Sequence, residues 1–428
     1  MTIKKESPQK TSTGIRAWLS SLGPGIITGA SDDDPSGIAT YSQVGAQAGF
    51  GMLWSLVLSF PMMVAIQLVS AQIGRVTGVG IAGNMKKYYP KVIMFVLVAL
   101  MVCANTINIG ADISAMGEAA NLVLGGNMVV FAIVLTVISV ALQIFIPYSR
   151  YVSILKWLCL VLFTYVAVVF SVHVPWAEAI KNSFIPTIIL DSAHISMFVA
   201  ILGTTISPYL FFWQASEEVE DEKGNPKEHP LKVAPSQAPK QLARIRKDTL
   251  FGMAFSNLIA LFIMLSTAVT LNMHGKTDIQ TASQAAEALR PIAGDLTFLL
   301  FAIGIVGTGL LALPVLAGSA AYAICEMFGL PMGLDKKPAE AKKFYGIIAG
   351  LTMLGMTLIF IGLNPVKALY LAAIINGVVA VPIMILMMMM GANKKVMGSF
   401  TISSSTKIIG WVSTLVMFIA AVGLFLTL

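Results

Sequence analysis

About eleven apolar runs, most of them some twenty residues long, leave this chain few ways to fold. They span 17–48, 50–74, 91–117, 127–147, 151–173, 192–216, 247–271, 294–327, 344–362, 365–391 and 407–427. A bilayer core takes about 20 helical residues to cross, and inside lipid every backbone amide must find its partner within its own segment. Charged residues make up 11% of the sequence, against about 25% in soluble domains. The chain therefore reads as an all-α polytopic membrane protein with about eleven transmembrane helices.

The formal net charge of +7 follows the topology. With the N-terminal tail (1–16, carrying Lys4, Lys5, Lys10 and Arg16) in the cytoplasm, the loops on that side hold most of the basic residues. These are Arg75, Lys86 and Lys87; Arg150 and Lys156; a cluster from Lys223 to Lys247; Lys336 to Lys343; and Lys394, Lys395 and Lys407. The opposite side keeps only Lys181, Lys276, Arg290 and Lys367. That is the positive-inside asymmetry. It places the C-terminus outside or in the periplasm, at a bacterial-type inner (plasma) membrane, and leaves no footprint for a nucleic acid. The lipid bilayer is the expected surrounding partner, and nothing indicates an obligate protein partner. The first 15 residues are polar and lack a signal-peptide pattern. Cys103, Cys159 and Cys325 fall inside apolar runs without CxxC spacing, as buried free thiols would. The longest extramembrane stretch, the cytoplasmic loop 217–246, is acidic first, basic later and proline-rich, which reads as a solvated, partly disordered segment. A metal site on Glu217, Glu218, Glu220 and His229 is the alternative there, although no ligand spacing requires it.

Two of the runs are interrupted. The first carries DDDPSG at 32–37 and the sixth TTISPYLF, with Pro35 and Pro208 in comparable positions. Five runs separate the interruptions, an odd number, so the two broken helices run in opposite directions. Broken helices opening two inverted five-span halves point to a transporter with its site at the midplane. Repeat one would cover 17–173, repeat two 192–391, with an extra helix at 407–427, all in a single domain over 17–428.

A broken helix frees carbonyl oxygens at one half-end and amides at the other. The aspartates decide the sign here in favour of a cation. Asp34, preceding Pro35, is pushed out of helical dihedrals and belongs to the break as the first cation ligand. Asp32 and Asp33 either cap the second half-helix, line a vestibule or coordinate. Glycines at 23, 25, 29 and 37 allow close backbone approach. The sixth run offers carbonyls near Thr204 and Thr205 and the hydroxyls of Thr205 and Ser207. In the third, Asn105, Asn108, Asp112 and Ala115 share a helix face, and Asp112 is an ionisable group within a span. Asn376 and Gly377 add a polar patch in the tenth, which is either helix glue or ion path. The methionines in 384–390 read as lipid and packing surface. Hard oxygens without Cys, His or Met at the breaks suit Mg²⁺ or Mn²⁺ better than copper or zinc, and small residues at 36, 37 and 207 leave room for a hydrated ion. The metal would be the transported substrate; no cofactor is expected.

Together these residues resemble the Nramp family of divalent-metal transporters over nearly the whole chain. That family's first-span DPGN falls on Asp34, Pro35, Ser36 and Gly37, and its sixth-span A-T-V-M-P-H on Thr204 to Tyr209. The resemblance implies the inverted five-plus-five (LeuT-like) fold. It also implies a metal bound by Asp34 and the carbonyl at Thr204, with Gly37 in place of an asparagine and Ser207 in place of a sulfur ligand. Tyr209 stands where the family has histidine, Ala115 where it has glutamate, and the ninth span lacks its arginines; those groups are associated with proton coupling. The combination is most similar to the Nramp-related magnesium transporter branch. The leading expectation is a secondary-type importer of Mg²⁺ and Mn²⁺, with the ion partly hydrated at Asp34 and no obligatory proton coupling. A proton-coupled Mn²⁺/Fe²⁺ importer using Asp112, a sodium-coupled organic-solute carrier and a membrane receptor are the alternatives. No catalytic triad or nucleotide loop suggests an enzyme.

Overall fold

The computed structural model describes residues 28–29, 31–146 and 159–427. The 1–16 tail, Arg16, Gly23, Gly25, Arg150, Lys156 and the openings of the first and fifth expected spans lie outside the described residues, as does the Cys159 side chain. No strand occurs among the described residues. The principal helices are α1 (Pro35–Ala48), α2 (Leu53–Thr77), α3 (Ile81–Tyr88), α4 (Lys91–Leu124), α5 (Met128–Phe145), α6 (Phe163–Ser171), α7 (Trp176–Phe184), α8 (Ser192–Thr205), α9 (Pro208–Gly224), α10 (Ala238–Thr270), α11 (Thr297–Phe328), α12 (Lys342–Met356), α13 (Pro365–Ala392) and α14 (Ser404–Thr427). Nine described segments are long and apolar enough to cross a membrane, matching the expected spans two to four and six to eleven. The described part of the fifth span, Leu160–Ser171, meets α7 at a 120° bend. Glu178 and Lys181 give α7 a polar face.

Both interruptions have the same chemistry. Helical residues end at Asp32, Asp34 is extended (φ −71°, ψ 171°), and α1 restarts with Pro35 in its first turn. In the sixth span, α8 ends at Thr205, Ser207 is extended (φ −83°, ψ 137°) and α9 restarts with Pro208. Proline is favoured at a first helical position, where its missing N–H costs nothing, and it forces the preceding residue out of the helix.

The packing exchanges partners as an inverted repeat requires. The half-helix after the first break, α1, lies on the seventh span α10, and the half after the second break, α9, lies on the second span α2. Spans two and seven also pack together, as do three (α4) and eight (α11). Small residues set the closest crossings: a Cβ on Gly203 of α8 would stand 1.9 Å from the Ala373 carbonyl of α13 and 2.5 Å from the Gly377 amide. Gly377 is thus a contact residue as well as part of a polar patch.

Three expectations change. Of the two cysteines whose side chains are described, Cys103 on α4 is exposed and Cys325 is buried. Among the methionines, Met384, Met387, Met388 and Met390 fill the core, whereas Met389 is 46% exposed. The loop after the sixth span is shorter and more ordered than its composition suggests. Glu217, Glu218, Glu220 and Glu222 sit on α9, and 225–237 folds over the end of α2. Arg75, fully buried there, ion-pairs with Glu228 and lies 3.6 Å from Asp221. The Arg75 and Val76 carbonyls accept from the amides of Leu231 and Lys232. Among the described residues no group of three His, Cys, Asp or Glu side chains is placed to hold a metal, so the alternative site on Glu217, Glu218, Glu220 and His229 is not formed.

Candidate functional site

Asp34 is where the two breaks and the third span meet. As N-cap of α1 it accepts, on Oδ1, from the Gly37 amide at 2.8 Å and the Ser36 hydroxyl at 2.7 Å. On Oδ2 it accepts from Asn108 Nδ2 at 3.0 Å and, more weakly, from the Tyr209 hydroxyl at 3.5 Å. The Tyr209 hydroxyl also donates to the Ser31 carbonyl at 3.3 Å, tying the second break to the first. Gly37 faces the sixth span: a Cβ there would lie 3.1 Å from Thr204 Oγ1 and 3.2 Å from the Asp32 carbonyl. Glycine keeps that interface close.

The remaining expected ligands are placed unequally. Thr205 donates its hydroxyl to the Ile201 carbonyl at 2.9 Å. Ser207 turns its hydroxyl back onto the carbonyls of Gly203 (2.6 Å) and Thr204 (3.0 Å). Their protons are therefore committed within the helix end, while their oxygen lone pairs stay available. Asp32 and Asp33 do not cap the second half-helix, because Asp34 does so, and both are buried in this conformation. They converge instead on Ser256 of α10, whose hydroxyl lies 2.5 Å from Asp32 Oδ2 and 3.4 Å from Asp33 Oδ1. Thr28, one turn earlier, donates to Gln214 of α9 at 2.5 Å.

Asp32, Asp33, Asp34 and Asp112 are each 1% exposed or less. Among the described residues no Lys, Arg or His forms an ion pair with any of them. Asp32 Oδ1, Asp33 Oδ2, Asn108 Oδ1 and both carboxylate oxygens of Asp112 are buried without a hydrogen bond of normal geometry. Like charges in a low-dielectric interior demand a counter-cation or protons. The cluster supplies oxygen acceptors and no resident cation, which is the chemistry of a cation site. Among the described residues the cluster is closed over Asp34, which is 1% exposed.

Asn105 lies on the same face of α4 but is used structurally, donating to the Leu316 carbonyl at 2.8 Å and to Ser319 at 2.9 Å. Asn376 is buried on α13 with its Oδ1 unpaired, and among the described residues no hydrogen bond links it to Asp34. Ser256 was not among the expected site residues. A lone serine in an apolar run carries no local signal, and its role emerges only from the crossing of α10 and the first break.

A family model described as natural resistance-associated macrophage protein-like (Nramp) matches residues 25–427. A divalent metal cation transporter MntH of Klebsiella pneumoniae is 23% identical over 422 residues, covering 96% of this chain and 95% of that protein. An MntH of Pectobacterium carotovorum is 25% identical over 355 residues, 81% of this chain and 82% of its own length. Among solved structures, a manganese transporter from Eremococcus coleocola aligns with a TM-score of 0.75 at 14% identity, over 98% of this chain and 88% of that one. Mhp1, a nucleobase-cation-symport-1 family transporter in a closed conformation, aligns with a TM-score of 0.57 at 13% identity, over 94% and 92%. These structural likenesses bear on the fold: an all-helical, LeuT-like bundle with two broken spans.

Proposed function

The chain belongs to the Nramp family, and from that membership we propose that it imports divalent metal cations, Mg²⁺ together with Mn²⁺, by alternating access. The ion is held partly hydrated at Asp34 between the two breaks, with Thr204, Thr205, Ser207 and the Gly37 backbone around it. The reading rests on one observation above the rest: Asp34 joins both broken helices and the third span through four hydrogen bonds to its carboxylate oxygens, with no cationic side chain paired to it among the described residues. The ligands the proposal assigns to the ion, the Asp34 carboxylate with the carbonyls and hydroxyls of Thr204, Thr205 and Ser207, are oxygens, which favours hard cations. Mg²⁺ gives up its waters reluctantly and is usually held through one or two carboxylates. An inside-negative potential supplies about 2.3 kcal/mol per charge per 100 mV, doubled for a divalent ion, so inward flux needs no second ion. In this proposal the N-terminus and the basic loops are cytoplasmic, the C-terminus is external, and the repeats run over 17–173 and 192–391.

A second reading has its own support. Asp112 is buried, within electrostatic range of Asp34, and lacks a hydrogen bond of normal geometry. A carboxyl so placed suits a proton carrier, as in a proton-coupled Mn²⁺/Fe²⁺ importer. Proteoliposomes loaded with a pH dye separate the two. Mn²⁺ uptake inhibited by Mg²⁺ without lumenal acidification supports the first; Mn²⁺ uptake indifferent to Mg²⁺ with acidification supports the second.

A further inference from the structure

At the end of the bundle that carries the Arg75 and Arg244 ion pairs, a groove of about 540 Å³ opens on the bundle's perimeter, and Asp34 is not among its lining residues. Its floor is α2, from Phe60 to Gln72, and its walls are α10, from Leu242 to Leu250, and the start of α14, from Ser403 to Ile409. Most of the lining is apolar and continues onto the lipid-facing surface, where Leu250 is 43% and Ile409 38% exposed. One end is polar, with Arg246 on one wall and Ser403, Ser405 and Thr406 on the other.

The charge at that end is the informative part. Arg75 and Arg244, the neighbouring arginines, are both paired with carboxylates. Arg246, two residues from Arg244, has none within ion-pair distance among the described residues. It is exposed and turned into the groove. Opposite it, the hydroxyls of Ser403, Ser405 and Thr406 form a cluster, with Ser403 Oγ 3.1 Å and 2.9 Å from the other two. An unpaired guanidinium facing hydroxyl donors complements a phosphate, and the apolar trough beside it complements an acyl chain. Basic pockets between membrane helices bind anionic headgroups by this combination.

We propose that this groove is a binding site for an anionic phospholipid, with the phosphate at Arg246 and the Ser403–Thr406 hydroxyls and an acyl chain along α2 between Leu250 and Ile409. The site stands apart from the ion pathway and does not depend on the transported ion.

Native mass spectrometry of the full-length protein, released from detergent containing equal phosphatidylglycerol and phosphatidylethanolamine, tests it. The wild type should retain phosphatidylglycerol about fivefold over phosphatidylethanolamine, the scale of one basic contact. Arg246→Gln should abolish that preference, whereas Lys247→Gln, which alters an exposed cation next to the groove, should preserve it. Leu250→Trp, filling the trough, should lower retention of both lipids, so the proposal stays testable if Arg246→Gln fails to fold. Equal retention of the two lipids by the wild type would overturn it. So would equal losses in Arg246→Gln and Lys247→Gln, or displacement of phosphatidylglycerol by millimolar inorganic phosphate, which would make the site one for free phosphate.

Discussion

Asp34 caps α1 through its carboxylate, and in the proposed function the same carboxylate carries the charge offered to the ion. Asparagine caps a helix about as well as aspartate, so Asp34→Asn removes the charge and keeps the cap. We expect uptake to fall about a hundredfold or more, roughly the 2.7 kcal/mol of a lost charged ligand, with an unchanged melting temperature. Asp34→Ala should also lose about 1 kcal/mol of cap energy. Gly37 bears on selectivity. An asparagine there must push its Cβ against Thr204 Oγ1 at 3.1 Å and the Asp32 carbonyl at 3.2 Å, which narrows the site. Gly37→Asn should therefore cut Mg²⁺ flux more than Mn²⁺ flux, by about tenfold in their ratio, or about 1.4 kcal/mol; competition uptake reads this directly. Asp34 was legible in the sequence because Pro35 fixes the break after it. The distinction between Asp34 and its two neighbours became concrete only with Ser256, which lies more than 200 residues away in sequence.

The elements divide in the same way. The breaks of spans one and six could be read from local chemistry, because a proline preceded by a polar residue inside an apolar run permits few other structures. The close crossings could not, because a glycine's use depends on what approaches it. Gly203→Ala places a methyl carbon 1.9 Å from the Ala373 carbonyl and should lower the melting temperature through overpacking, on the order of 1–3 kcal/mol. The segment after α9 departs from what its composition implies for a related reason. Its proline and charge content describes a solvated loop, whereas buried Arg75 on α2 organises it from a distance. Burial alone would raise the Glu228 carboxyl, but the hydrogen bond and charge of Arg75 outweigh it and hold the group below the ordinary glutamate value of 4.5. A depressed pKa stabilises the fold above 4.5, and that contribution is lost as pH falls from there through the lower folded value. Thermal unfolding between pH 6 and pH 3 should show this acid-side loss, and Glu228→Gln should show less of it.

Across the whole molecule, the architecture answers an electrostatic problem. Four buried aspartates with no paired cation among the described residues are tolerable where, as proposed, a passing ion or a proton neutralises them, and the two inverted breaks bring carbonyls, hydroxyls and amides to that point. Composition revealed the membrane class, and the positive-inside pattern suggested an orientation. The closed state of the site was not legible, because occlusion depends on how α1, α4, α8 and α10 pack together and not on any one of them. Which ion the site takes is the central claim. It is tested most directly by Mn²⁺ flux into proteoliposomes with competing Mg²⁺ and a simultaneous internal pH reading, comparing wild type with Asp34→Asn. The account expects Mg²⁺ to inhibit Mn²⁺ entry, the lumen to stay at constant pH and Asp34→Asn to be inactive. Mn²⁺ entry that ignores Mg²⁺ and acidifies the lumen would contradict it.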